Sequence, residues 1–207
     1  SQRYMKLSVD AIMAIAFAIA LGIVSVSRLF APIFWGEDFA PCAYILSALA
    51  LSIPFSGFAN VIRMQYLIPN GMDGAYILSV ILGAVSNLTA NSLLIPRCGA
   101  LGAAVGTVIA EGVVCAAQCL AVKKRIDILA YLKSTAFFGM AGLLMYGAVR
   151  VLDQRAEITV SWLLLEIVVG GSVYCILYVL YLYHTKNELL MTALQKLGGA
   201  HQNNDRG

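Results

Sequence analysis

The sequence predicts an all-α polytopic transmembrane bundle of about six helices, and three observations predict it. Of its 207 residues, 60% are hydrophobic and only 12% are charged, whereas soluble domains carry about 25% charged residues. The mean hydropathy is +0.83. The apolar residues also gather in blocks of about 20 or more, the length a helix needs to cross ~30 Å of hydrocarbon. The bilayer is therefore the solvent.

The first predicted span runs from about Val9 to Phe34 and ends at Trp35, an aromatic interface anchor, followed by the loop residues Gly36, Glu37 and Asp38. A second runs from about Cys42 to Tyr66. It carries Pro54, which should kink it, and Pro69-Asn70-Gly71 closes it with a strong turn signal. The third extends from about Gly74 to Ile95 and is expected to be stopped by Pro96-Arg97-Cys98-Gly99, so the hairpin into the fourth, Gly99 to about Val122, should be very tight. The basic cluster Lys123-Lys124-Arg125 ends the fourth. A fifth span covers about Ile128 to Leu152 and a sixth Val160 to about Tyr183, with an amphipathic interfacial tail predicted from His184 onward.

Charge supports this arrangement. The net charge of +3 is small and scattered, which excludes nucleic acid as a partner. Alternating the spans groups Arg3, Lys6, Arg63, Lys123, Lys124, Arg125, Lys133, Lys186, Lys196 and Arg206 on one side, leaving Arg28, Arg97, Arg150 and Arg155 on the other. By the positive-inside rule both ends of the chain are expected in the cytoplasm. The five cysteines, Cys42, Cys98, Cys115, Cys119 and Cys175, lie mostly in apolar segments with no metal-ligand spacing and read as small buried hydrophobes. The opening Ser1, with no signal-peptide pattern after it, reads as the continuation of something longer.

Polar residues inside the spans carry most of the functional signal, because each must find a partner or line water. In the second span Ser52, Ser56, Asn60 and Arg63 recur at helical spacing on one face. Ser79, Gly83, Asn87 and Asn91 do so in the third, and Thr107, Glu111, Cys115 and Gln118 in the fourth. These faces are expected to wall a common polar cavity, with Ser56, Asn60, Arg63, Asn87, Asn91, Thr107, Glu111 and Gln118 along a translocation path. The bland alternative is that they are interhelical glue and that Arg63 snorkels to the interface. Glu111 is the strongest candidate, since a carboxylate near mid-span costs a few kcal/mol and calls for a proton, a cation or water. Glu166, nearer the outer end of the sixth span, reads as a partner for Arg150 or Arg155.

Gly102 and Gly106 form a GxxxG, which permits close helix packing. A phosphate-cradling loop is excluded, because no strand precedes them and no Lys-Ser/Thr follows. No catalytic constellation, cofactor motif or metal-ligand set emerges, and His184 and His201 both fall in the tail. An enzyme is therefore not expected.

The stretch NLTANSLLIPRCGALGAAVGTVIAEGVVCAAQCLAVKKR resembles the C-terminal half of the prokaryotic polysaccharide transporters. These are the O-antigen and lipid-linked oligosaccharide flippases of the multidrug/oligosaccharidyl-lipid/polysaccharide exporter superfamily. The matching residues are Asn87, Asn91, Ile95-Pro96, Gly99, Gly102-Ala103-Ala104 and Ala110-Glu111. Gly36, Phe39 and the small-residue run up to Asn60 resemble the family's preceding loop and helix, so the likeness covers about Leu7 to Arg125.

The resemblance implies two six-helix bundles that rock about a central cavity, often with two extra C-terminal helices. On that reading the chain is a partial second lobe of a two-lobe flippase-type transporter. Residues 1–125 would supply four helices of the lobe, 126–183 two accessory helices and 184–207 a cytoplasmic amphipathic tail. The implied substrate is an undecaprenyl-diphosphate-linked oligosaccharide for surface polysaccharides such as lipopolysaccharide, with membrane lipids and a missing N-terminal lobe or second chain as partners. Arg63 would meet the diphosphate, the asparagines would bond sugar hydroxyls, and Glu111 would couple to a proton or cation. Competing readings are a cation-coupled multidrug exporter of the same superfamily, a membrane-embedded enzyme, and a non-transporting scaffold or fragment.

Overall fold

The computed structural model describes residues 2–184 and is entirely helical over them. Seven α-helices are present: α1 (Gln2–Trp35), α2 (Cys42–Ala50), α3 (Ser52–Ile62), α4 (Asp73–Cys98), α5 (Ala100–Val122), α6 (Ile128–Asp153) and α7 (Val160–His184). With α2, α3 and the turn after them counted as one span, six segments are long and apolar enough to cross a membrane. The chain is a multi-pass membrane protein. Beyond His184, the predicted amphipathic tail lies outside the described residues.

Each helix end has a local cause. Gly36 takes φ 96° after Trp35, a conformation side chains other than glycine rarely adopt, and its N–H donates to the Pro32 carbonyl at 3.0 Å. The second span breaks at Leu51, between α2 and α3. Pro54 explains the break: it has no N–H for the Ala50 carbonyl one turn back, and its ring crowds that carbonyl. The Leu51 N–H turns to Ala48 at 3.1 Å, and the Ser52 hydroxyl caps the Leu49 carbonyl at 2.7 Å. After α3 the chain widens into a π-turn over Arg63–Leu67, with the Ile68 N–H reaching back to the Arg63 carbonyl at 3.0 Å. The Asp127 side chain caps α6 by accepting from the Ala130 N–H at 3.2 Å.

One boundary differs from expectation. The third span does not end at Ile95; α4 runs through Pro96, the first residue of the expected stop, to Cys98. A proline in the last turn forfeits one hydrogen bond, while unwinding there would free several backbone groups in a setting where none is easily satisfied. The stop is Gly99, with φ 56° and its N–H on the Ile95 carbonyl at 2.8 Å, and α5 begins at the next residue.

Helix α1 is the hub, packing on α2 and α3 along one side and on α6 and α7 along the other. The end of the bundle holding the N-terminus and the 123–127 turn is the tighter one. There Val9, Met13, Phe58, Ile62, Leu67, Val122 and Phe138 from four helices close a continuous apolar core. A second cluster, Leu21, Ala141, Met145 and Tyr174, fastens α6 and α7 to α1, aided by the Tyr174 hydroxyl donating to the Ala14 carbonyl at 2.7 Å. At the other end Arg28 of α1 meets Asp153 of α6, with Nε on Oδ1 at 2.6 Å and Nη2 on the main-chain carbonyl at 2.8 Å.

Candidate functional site

The expected polar faces do not meet in one cavity among the described residues. They divide into a seam and a cleft. The seam lies between α4 and α5, whose one-residue hairpin sets the register: residues equidistant from the turn face each other. Near the hairpin Gly102 abuts the α4 backbone at Leu94 and Ile95, and Gly106 abuts the Asn91 amide. Further away Gly83 receives Val114, and the Gln118 Nε2 donates to the Ser79 hydroxyl at 3.1 Å. Asn91 Nδ2 donates to Asn87 Oδ1 at 2.9 Å, one turn apart on α4. Asn91 and Gln118 are therefore interhelical residues in this structure, Gln118 fully buried, while Asn87 is bonded to Asn91 along α4.

Two buried acceptors in the seam are unsatisfied, Asn91 Oδ1 and Gln118 Oε1. In hydrocarbon an unpaired amide oxygen costs about 1–3 kcal/mol. The seam is thus held mainly by the close approach its glycines allow, not by its amides.

The cleft lies where α1, α3 and α5 converge and has a volume of about 380 Å³. Ser52, Ser56 and Asn60 line it from α3, Glu111 from α5, and Ile12, Ile15 and Ile19 from α1. Ser56 and Asn60 are exposed and Glu111 half-buried, so the polar wall is open on one side. Arg63 is tied to this wall through Asn60, its Nη2 donating to Asn60 Oδ1 and its Nη1 to the Tyr76 hydroxyl at 3.4 Å. Its guanidinium also lies 5.3 Å from the Tyr76 ring centroid. The π-turn that begins at Arg63 aims this side chain at α4 while leaving it on Asn60. Thr107 sits one turn from Glu111 on α5, half-buried, with its hydroxyl returned to the Ala103 carbonyl at 3.1 Å.

Three of the eight candidate residues, Ser56, Asn60 and Glu111, therefore line one cleft, and a fourth, Arg63, is bonded to Asn60 beside it. They supply hydroxyl and amide groups for polar oxygens, one fixed cation and one carboxylate in an otherwise apolar slot. This composition suits a polar, anionic head group held beside lipid. No group of three or more His, Cys, Asp or Glu side chains suited to a metal ion occurs among the described residues.

Sequence reasoning misassigned one acid and passed over another. Glu166 is not bonded to Arg150 or Arg155; Arg150 Nη1 is on Asp153 Oδ2 at 2.9 Å, joining Arg28 there. Asp10 of α1, 8% exposed with Oδ1 unbonded, faces Ser134 and the tyrosines of α7. The available signal was an acid well inside the first apolar helix.

No family model matches the sequence, and no curated protein matches it. Among solved structures the chain is similar to the lipid II flippase MurJ in its inward closed conformation, with a TM-score of 0.76 and 18% identity. The alignment covers 89% of this chain and 40% of that one, so the chain spans about two fifths of that flippase's length. At this identity the likeness shows the fold alone, an all-helical membrane bundle.

Proposed function

We propose that this chain is part of a transporter that carries the polar head of a polyprenyl-diphosphate-linked oligosaccharide across the inner membrane by alternating access. The observation that carries the reading is the convergence of Ser56, Asn60 and Glu111 on one cleft, with Arg63 bonded to its Asn60, in a bundle that shares the fold of a lipid II flippase. The physical problem suits the cleft. A glycan and diphosphate need hydrated, hydrogen-bonding, partly cationic surroundings, while the prenyl tail stays in lipid. Arg63 supplies the charge for the diphosphate, Asn60 and Ser56 the sugar contacts, and Glu111 a proton or cation coupled to the movement. The rest of the rocker comes from a further lobe or a second chain, and both ends of this piece face the cytoplasm.

A second reading has one observation in its favour: the walls contributed by Ile12, Ile15, Ile19 and Ile53 face a single carboxylate, Glu111. That pattern also suits a lipophilic cation, as in a cation-coupled multidrug exporter. Deleting the gene and locating the lipid-linked saccharide discriminates the two. Loss of surface glycan, with the intermediate accumulating on the cytoplasmic leaflet, supports the flippase. Normal surface glycan with increased sensitivity to lipophilic cations supports the exporter.

A further inference from the structure

The most deeply buried acid among the described residues is outside the cleft. Glu166 lies one and a half turns into α7, is 1% exposed, and neither of its carboxyl oxygens is hydrogen-bonded. The charged groups facing it are the Asp153 carboxyl and Arg150 of α6 and Arg28 of α1. Both guanidiniums are committed to Asp153: Arg28 holds Oδ1 at 2.6 Å and Arg150 holds Oδ2 at 2.9 Å. On its other side Glu166 opens into a cavity of about 360 Å³ between α1, α6 and α7, walled by Gly22, Val26, Met145 and Gly170. The hydroxyls in that cavity are already donated to helix carbonyls, Ser25 to Leu21 at 2.6 Å and Tyr174 to Ala14 at 2.7 Å.

The charges balance in one arrangement only. With Glu166 ionised, two arginines face two carboxylates and the cluster is neutral. In the observed geometry, however, neither guanidinium is hydrogen-bonded to Glu166, and an ionised carboxylate buried without such a bond costs several kcal/mol. A proton on Glu166 removes that cost without moving any side chain. Ionisation instead requires a guanidinium to turn from Asp153 to Glu166. The means to do so are present, because the Arg28 and Arg150 side chains are 48% and 53% exposed and free to turn, while Asp153 is 4% exposed.

We propose that Glu166 is a proton-binding site in the accessory helices: protonated while both arginines hold Asp153, and ionised when one guanidinium re-pairs with it. Proton release then transfers an ionic tie from α6 to α7. The proposal does not depend on the identity of any transported substrate.

Infrared difference spectroscopy on the full-length protein in liposomes, stepped between mildly acidic and alkaline buffer, tests it. The wild type shows a protonated-carboxyl C=O band that disappears as pH rises, and E166Q lacks it. D153N provides a control in which Glu166 remains: both arginines are released to Glu166, which stays ionised, and the same band is lost at the acidic pH where the wild type displays it. A purely structural carboxyl would not respond to Asp153 in this way. A titrating band that survives E166Q, no band in the wild type, or an unchanged band in D153N overturns the proposal.

Discussion

Replacing Gly102 with alanine tests the α4–α5 seam most sharply. The added methyl meets the Leu94 carbonyl and the Ile95 nitrogen. These are backbone atoms of a helix, so no rotamer change relieves the overlap and the hairpin has to separate. Overpacking of this kind costs about 1–3 kcal/mol. Against it, alanine is favoured over glycine in a helix interior by about 1 kcal/mol. The net expectation for G102A is a loss of about 0–2 kcal/mol. Gly112, on the same helix, has nothing within 4 Å of an added Cβ, so G112A keeps the propensity gain of about 1 kcal/mol. The informative quantity is the gap between the two variants, about 1–3 kcal/mol, set by the steric cost alone. G106A should fall between them, because the obstacle there is the Asn91 amide. That amide can rotate at the expense of its bond to Asn87, worth about 1 kcal/mol. Equilibrium unfolding in bicelles, followed by tryptophan fluorescence, measures all three. If G102A proves as stable as G112A, the helices are not in backbone contact at the hairpin and the register is wrong.

Other outcomes follow from the same geometry. Tyr174→Phe removes the hydroxyl bond to Ala14 and should lower unfolding stability by about 0.5–1.5 kcal/mol with no change in helix content by circular dichroism. Gln118→Leu removes a buried, half-satisfied amide while keeping its volume, so stability should stay level or rise, whereas Gln118→Ala opens a hole and should cost about 2 kcal/mol or more. If Gln118→Leu abolishes transport while stability holds, Gln118 belongs to the path and not only to the seam. Glu111→Gln in the full-length protein should reduce surface glycan at unchanged protein level, and normal export would remove Glu111 from the coupling role.

How much was legible in the sequence follows from what periodicity can carry. The six spans were readable because each is a predominantly apolar block bounded by glycine, proline or charge. A recurrence of three or four residues reports that Ser79, Gly83, Asn87 and Asn91 share a face, but not which neighbour that face meets. The hairpin at Gly99 decides that, by setting α4 against α5 residue for residue. The signal was available in the spacing of the two stripes from the glycine turn. Proline misled at Pro96, since in the last turn of a membrane helix the lost hydrogen bond is cheaper than unwinding. Glu166 was misassigned for a different reason: Asp153, counted as a loop residue, folds into the end of α6 and takes Arg150, together with Arg28 from a helix distant in sequence.

The most direct test of the transport reading is reconstitution of the full-length protein in liposomes with a fluorescent polyprenyl-diphosphate oligosaccharide in one leaflet. A membrane-impermeant sugar-modifying enzyme then reports its arrival in the other. The proposed function predicts transfer well above that of protein-free liposomes, strongly reduced by Arg63→Gln and by Glu111→Ala with the folded fraction unchanged. Transfer no faster than in protein-free liposomes, or unaffected by both substitutions, would contradict it.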